Sequence, residues 1–444
     1  MSTVTRSRRQ RLAPRSIAVL AVASLLAAGC SGGSGGSAAK QPAKAKPIST
    51  SAPIKGQHIV VLMPSYAQIP KALLADFTAK TGVTVTLNSA EFDGIHQRLV
   101  TASVGNTNIA DVAEIDWSWV GQFGQAGWYT PLETSLDPSL QSDLQNLSTF
   151  KFKGHILGVP YSNDFRIAAY NKDMFAKAGV DPPKTFDDLH AAMLALKQKA
   201  GVKYPLSLAL SATEGTATVW YLITLAMGGK LFDNNFNSQF DKPNSVAAKA
   251  LQFEVNAVKE GLVSPGSVSN SDQQSDDRFL NGSAGYVFGG PDEVVSADDP
   301  TSSKIVHKAA LALVPGANGP GPTFGLPEGV GIPASSSHKE AALAFLNWMS
   351  SPEVVVKLRA SIGVLPCRTS ILKQLNDSGN LVGGDVIEQQ AKHITPLFPQ
   401  GTPTWYPKFS SEAGALVNSA AKGDISVAEA LKRLAQLARK LAGK

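Results

Sequence analysis

The chain has 444 residues, 43% of them hydrophobic, with 41 Lys and Arg against 35 Asp and Glu, a formal charge of +6 and two cysteines. Five arginines (Arg6, Arg8, Arg9, Arg11, Arg15) crowd the first fifteen residues with no acid among them, so the chain from residue 30 onward carries only +1. That balance gives no electrostatic case for nucleic acid, two cysteines exclude a disulfide framework, and the length predicts two domains.

Residues 17–28 are an apolar run too short for a permanent membrane span, and behind the arginines they read as a signal peptide, 1–29. Ala27-Ala28-Gly29-Cys30 resembles a bacterial lipobox, so Cys30 is expected to carry diacylglycerol and to anchor the protein at the extracytoplasmic face of a bacterial membrane. Lipid is then the only membrane attachment, since no later apolar run reaches about 20 residues. Residues 30–56, rich in Ser, Gly, Ala, Lys and Pro, read as a flexible tether. Gly32 to Gly36 spells G-x-S-x-G, but no strand precedes it and no helix follows, so it is linker and not a nucleophile elbow.

Ordered structure is expected from residue 57. A continuous apolar run at 59–63 predicts a strand, 69–81 a helix stopped by Gly82, and 83–87 a second strand. A helix over 95–104, a strand over 110–115 and a helix over 120–126 continue the alternation, which predicts a parallel sheet. Thr185 with Asp188 and Ser426 with Glu429 read as capping boxes, and Ser351-Pro352 as a cap followed by proline at the first helical position. Val427, Leu431, Leu434, Ala438 and Leu441 form one apolar stripe on the last helix.

Seven scattered histidines show no metal-ligand spacing, and the pairs Asp187-Asp188, Asp276-Asp277 and Asp298-Asp299 read as solvated surface. No phosphate-binding glycine motif is present, so no catalytic residue, metal or cofactor is expected. What recurs is an aromatic ring beside a polar group at strand ends and in loops, where open α/β sheets bind ligands. The candidates are Tyr66, Glu91 and Phe92, Asp116, Trp117 and Trp119, Asn163 and Asp164, Glu214, Trp220, Phe288-Gly289-Gly290, Arg368 and Trp405. A sugar presents an apolar C–H face to a flat ring and a rim of hydroxyls to carboxylates and amides. Trp128 and Trp348, on amphipathic helices, read as core.

The order of several segments resembles the extracellular solute-binding proteins of bacterial ABC importers, in the sugar-binding group (family 1) related to maltose and trehalose binders. Leu74-Ala75-Asp76-Phe77 through Val83-Thr84-Val85, then Asp116 through Phe123-Gly124-Gln125-Ala126-Gly127-Trp128 to Pro131-Leu132, are similar to the family's first lobe. Gly158-Val159-Pro160-Tyr161, Tyr170-Asn171-Lys172-Asp173-Met174-Phe175, Phe279-Leu280-Asn281-Gly282 and Gly363-Val364-Leu365-Pro366-Cys367-Arg368 match later segments. The resemblance implies an α/β, periplasmic-binding-protein type II fold with two lobes, 57–165 with 316–363 and 166–315 with 364–444, joined by three crossings. It implies a ligand in the cleft, a permease as partner, a monomer, and cleft positions for Asp116, Trp119 and Arg368. Where many relatives carry tryptophan, this chain has Phe288-Gly289-Gly290-Pro291. The function expected is capture of a di- or oligosaccharide. The alternatives are a glycerophosphodiester or other phosphorylated solute held by Arg166 and Arg368, or a lipid-anchored glycan hydrolase using distant carboxylates.

Overall fold

The computed structural model describes residues 45–444, without the side chains of residues 92 and 93. Cys30, the signal run and the G-x-S-x-G stretch lie outside the described residues. Nine strands build two sheets: β1 (His58–Pro64), β2 (Thr84–Ala90), β3 (Val112–Asp116), β4 (Val159–Ser162), β5 (Ile167–Asn171), β6 (Leu206–Ser207), β7 (Tyr286–Gly289), β8 (Ala309–Ala312) and β9 (Glu328–Gly331). The first sheet runs β2-β1-β3-β9-β4 and the second β8-β5-β7-β6.

Local chemistry accounts for these elements. Ile59, Val61 and Met63 of β1 are buried on one face and Leu62 on the other, as the unbroken apolar run requires of a strand covered on both sides. The helix Lys71–Thr81 starts later than its periodicity suggests because Pro70 occupies the cap, and Gly82 ends it at φ 73°, donating its N–H to Thr78. Thr185 and Asp188 form a reciprocal capping box, whereas at Ser426 only the side-chain bond to the Glu429 N–H forms. Ser351 caps with Pro352 at the first helical position, but its hydroxyl turns back to the Trp348 carbonyl at 2.7 Å.

Two expectations are corrected. Only β1, β2 and β3 pair in parallel in the first sheet; β9 is antiparallel to both β3 and β4, because it returns from a distant part of the chain and not through a helical crossover. The tether also ends earlier than its composition suggests: Ile48 donates its N–H to Ser135 Oγ at 2.8 Å, and Ile48 and Ile54 pack against the core under the first sheet.

These pairings bring the carboxyl ends of β1 and β3, the start of β9 and the end of β4 to one edge, with Glu328 opposite both Asp116 and Ser162. In the second sheet Ile167, at the start of β5, lies opposite Gly289, at the end of β7. The chain passes from one sheet to the other between Ser162 and Ile167, so 163–166 belong to the space between these two edges.

Candidate functional site

A cavity of about 780 Å³ opens between those edges. From the first sheet it takes Tyr66, Asp116, Trp117, Ser118, Trp119 and Glu328; from the second side it takes Arg166, Glu214 and Asp272, with Asp164 on the connection. A smaller cavity of about 250 Å³ adjoins it, sharing Tyr66, Asp164, Arg166 and Glu328 and adding Gly290, Asp292 and Glu293.

Asp116 is the last residue of β3 and is almost fully buried. Its Oδ1 accepts both the Ser118 N–H, at 2.8 Å, and the Ser118 hydroxyl, which turns the chain and aims the carboxyl at the cavity. Burial pushes its pKa well above the ordinary carboxylate range, and the Ser118 bonds only partly oppose this. Trp119, one turn on, packs its indole 5.0 Å from the His96 ring and 5.8 Å from Phe123. His96 is fixed by a stacked contact with Phe123 and a 2.9 Å bond to Gln122. Trp117 is held edge-on to Phe324 at 5.2 Å and lies 4.9 Å from Tyr406.

Glu328 is held by both oxygens: the Tyr66 hydroxyl donates to Oε1 and the Tyr161 hydroxyl to Oε2 at 3.1 Å. Burial pushes its carboxyl up to about 7 against those two bonds. Burial likewise raises Asp164 to about 6, with Arg166 pulling it down and Asp292 and Asp272 pushing it up. Across the cavity Arg166 donates to Asp272 Oδ2 at 3.1 Å. Glu214, in the first turn of the helix Glu214–Ala226, accepts the Tyr406 hydroxyl at 2.8 Å. Gly215 leaves room for the Asp272 carboxylate, which a Cβ there would displace.

Of the residues singled out in the sequence, Tyr66, Asp116, Trp117, Trp119, Asp164, Glu214 and Gly290 line the two cavities. Others stand elsewhere. Asn163 is fully buried with its amide held by Asn146 and Gln145. Trp220 is core, its indole donating to the Ala247 carbonyl at 2.9 Å. Phe288 packs between Tyr286 and Phe186, and Gly289 leaves room for Glu293. Trp405 sits among Phe232, Phe236 and Phe409. Glu91 is exposed and accepts the Ser65 hydroxyl at 3.0 Å, while the Phe92 side chain lies outside what is described. Arg368 turns away to Asp143, at 2.7 Å, and the Ser350 carbonyl, at 3.1 Å. With Arg368 gone and Arg166 bound to Asp272, the pair of arginines expected to hold a phosphorylated solute is not formed.

Glu328, Asp272 and His96 escaped the sequence reading. Glu328 carried one usable signal, an acid opening the apolar strand Glu328–Gly331; its place opposite Asp116 follows only from strand pairing.

The profile of the family described as bacterial extracellular solute-binding protein matches residues 62–356. The diacetylchitobiose binding protein DasA of Streptomyces coelicolor is 24% identical over 351 residues, 74% of this chain and 76% of its own. An uncharacterized lipoprotein of Streptomyces antibioticus is 25% identical over 374 residues, 80% of this chain and 76% of its own. Among solved structures, an ABC transporter solute-binding protein of Thermotoga lettingae bound with α-D-tagatose superposes with a TM-score of 0.74 at 25% identity, covering 87% of this chain and 100% of that one. The solved relatives carry the same α/β, periplasmic-binding-protein type II fold. With more than half of its length matched by the family profile, this chain belongs to the bacterial extracellular solute-binding protein family.

Proposed function

We propose that the protein is the substrate-capturing subunit of an ABC importer and that the cavity between its two sheets holds a sugar or polyol of up to about disaccharide size. The observation that carries this reading is the lining: aromatic faces from Tyr66 and Trp119 stand beside carboxylates at Asp116, Asp164, Glu214 and Glu328, on elements that are themselves fixed by packing. Rings suit the C–H face of a sugar and carboxylates accept from its hydroxyls at about 1.5–3 kcal/mol each. The volume, about 780 Å³, lies in the range of ligand pockets, about 300–1,000 Å³. Relatives named for diacetylchitobiose and α-D-tagatose support the ligand class.

The lobes 57–165 with 316–363 and 166–315 with 364–444 close on the ligand, and the closed monomer is what the permease receives. Cys30 carries the lipid that keeps the protein beside that permease, a reading supported by the relative named a lipoprotein. The protein binds and does not turn over its ligand, in keeping with relatives named as binding proteins. A thermal-shift panel of sugars and polyols on the purified chain tests the reading, because a ligand at about 100 times its Kd stabilises by about 2.7 kcal/mol. Stoichiometric binding with the sugar recovered intact is expected. Hydrolysis of a glycan, or a panel in which only phosphorylated solutes shift the transition, overturns it.

A further inference from the structure

A further cavity, of about 580 Å³, stands clear of the cleft and shares no residue with either cavity there. It is enclosed by the helix Lys172–Ala178, the segment 200–204 and the end of the helix Asp272–Leu280. That last helix serves both regions: Asp272 and Asp276 line the cleft cavities, and Arg278 lines this one. Three cations, Lys177, Lys203 and Arg278, meet one acid, Asp173, and that acid already lies 3.6 Å from Lys308.

Arg278 is the group that lacks a partner. Its Nε is buried without an acceptor, and its guanidinium makes no hydrogen bond or ion pair among the described residues. Burial pulls it below its ordinary range, opposed by Tyr204 and by no carboxylate. A cation near a helix end commonly spends its donors on the last carbonyls. Arg359 does so at Gly363, and Lys177 reaches the Ala200 carbonyl at 3.0 Å. Arg278 stands in the last turn of its own helix and donates to none. An enclosed guanidinium with no acceptor is costly, and an anion in the cavity removes that cost. Beside it Lys203 touches only the Tyr204 ring, at 5.2 Å, and Lys177 keeps two of its three donors.

A phosphate monoester matches this donor set better than a carboxylate does, because its three terminal oxygens accept from a guanidinium fork and from separate ammonium groups at once. Met174, Val202 and Tyr204 supply the apolar part of the lining, and the volume is that of a small-molecule pocket, so the phosphate carries an organic substituent. We propose that this cavity binds an organic phosphate monoester, its oxygens on Arg278, Lys203 and Lys177 and its substituent against Tyr204 and Met174. A soluble ester and a phosphatidic acid headgroup share that chemistry. The site is separate from the sugar cleft and does not rest on what the cleft holds.

Calorimetric titration of the purified chain tests it, with phenyl phosphate, the water-soluble lipid dihexanoyl phosphatidic acid, and phenol as the uncharged control. Phenyl phosphate should bind and phenol should not. Arg278→Gln should weaken phenyl phosphate about tenfold or more, and raising NaCl from about 20 mM to about 500 mM should weaken it several-fold. Lys203→Gln, at an exposed residue, should weaken it several-fold without touching the fold, and decides the matter if Arg278→Gln does not fold. Tighter binding of the lipid assigns the site to a headgroup, and tighter binding of phenyl phosphate to a soluble ester. Neither variant should alter the thermal shift given by sugars, which reports the cleft. If no phosphate binds at millimolar concentration, or if phenyl phosphate binds both variants as it binds the original chain, the site is wrong.

Discussion

Asp116 and Arg368 are both ionisable, both enclosed, and opposite in what they do. Asp116 is oriented by Ser118, two residues away, with both bonds on Oδ1, so the rest of the carboxyl serves the cavity. Asp116→Asn keeps size and the Ser118 turn but replaces one carboxyl oxygen, an acceptor for the ligand's hydroxyls, with an amide donor; affinity should fall about 10- to 100-fold, the equivalent of about 1.5–3 kcal/mol, while the unliganded melting temperature stays within a degree or so. Normal affinity in a titration would remove Asp116 from the site. Arg368 instead closes a pair with Asp143, their side chains 19% and 17% exposed, and the same Asp143 also takes the Ser370 N–H and hydroxyl. Arg368→Ala should therefore cost about 3 kcal/mol of stability, the low end for one partner of a buried pair because Ser370 remains, with ligand affinity unchanged in the folded protein. Denaturant unfolding beside titration separates the two outcomes. The contrast also explains why one residue was legible in the sequence and the other was not. Asp116 follows an apolar run and so must emerge at a strand's carboxyl end, whereas Asp143 lies 225 residues from Arg368, a pairing that no local pattern encodes.

At the scale of elements, caps and breakers were the legible part. Gly82, read as a stop, ends its helix through a φ preference that acts within a few residues, as Gly127 ends the helix Val120–Ala126, whereas Pro70 sets a start two residues later than the expected 69. Thr185 is the cleanest case, with Thr185 Oγ accepting the Asp188 N–H at 3.0 Å and Asp188 Oδ2 accepting the Thr185 N–H at 3.0 Å. Thr185→Ala should lower stability by about 1 kcal/mol, read as a lower urea midpoint at unchanged slope, and a null effect would show that the box adds nothing to the helix Phe186–Ala195. Misplaced aromatics failed for an element-level reason. The helix Glu214–Ala226 is buried from Thr216 through Ala226, on every face, so Trp220 has no exposed side from which to meet a ligand. A helix apolar all round is a core helix, and its residues 216–226, which include no charged side chain, carried that signal. Trp348 followed the rule correctly, packing 5.1 Å from Phe77 and 5.2 Å from Phe345, while Trp128 is only half-buried against Phe123.

Over the whole molecule, the alternation of strands and helices made the α/β class legible, but the site was only half visible because its acids come from segments that meet through pairing and packing. Glu328 joins Asp116 through the β3–β9 register, and Asp272 joins Arg166 across 106 residues. That convergence has a consequence for the empty protein. Burial raises Asp164 from its ordinary value to about 6, and Asp276 and Glu328 to about 7, with Asp272 and Asp292 adding repulsion around Asp276 and Arg166 opposing it. In the unfolded chain the same carboxyls titrate near 4. Between those limits the folded state binds more protons than the unfolded one, so stability rises as pH falls through the folded values and levels off below the unfolded ones. Groups shifted the other way, Asp111, Glu133 and Asp143, have folded values below the ordinary range and lose their contribution only at more acid pH, so they do not oppose the trend in this window. The unliganded protein should therefore melt higher near pH 5.5 than near pH 8, measured by calorimetry at constant ionic strength. Asp164→Asn and Glu328→Gln, each neutral at every pH, should flatten that dependence in proportion to the protons they no longer take up. A melting temperature that falls steadily from pH 8 to pH 5.5 would mean that these carboxyls are ionised in the folded state, and that the cleft reaches solvent or counter-charge well enough to keep them so.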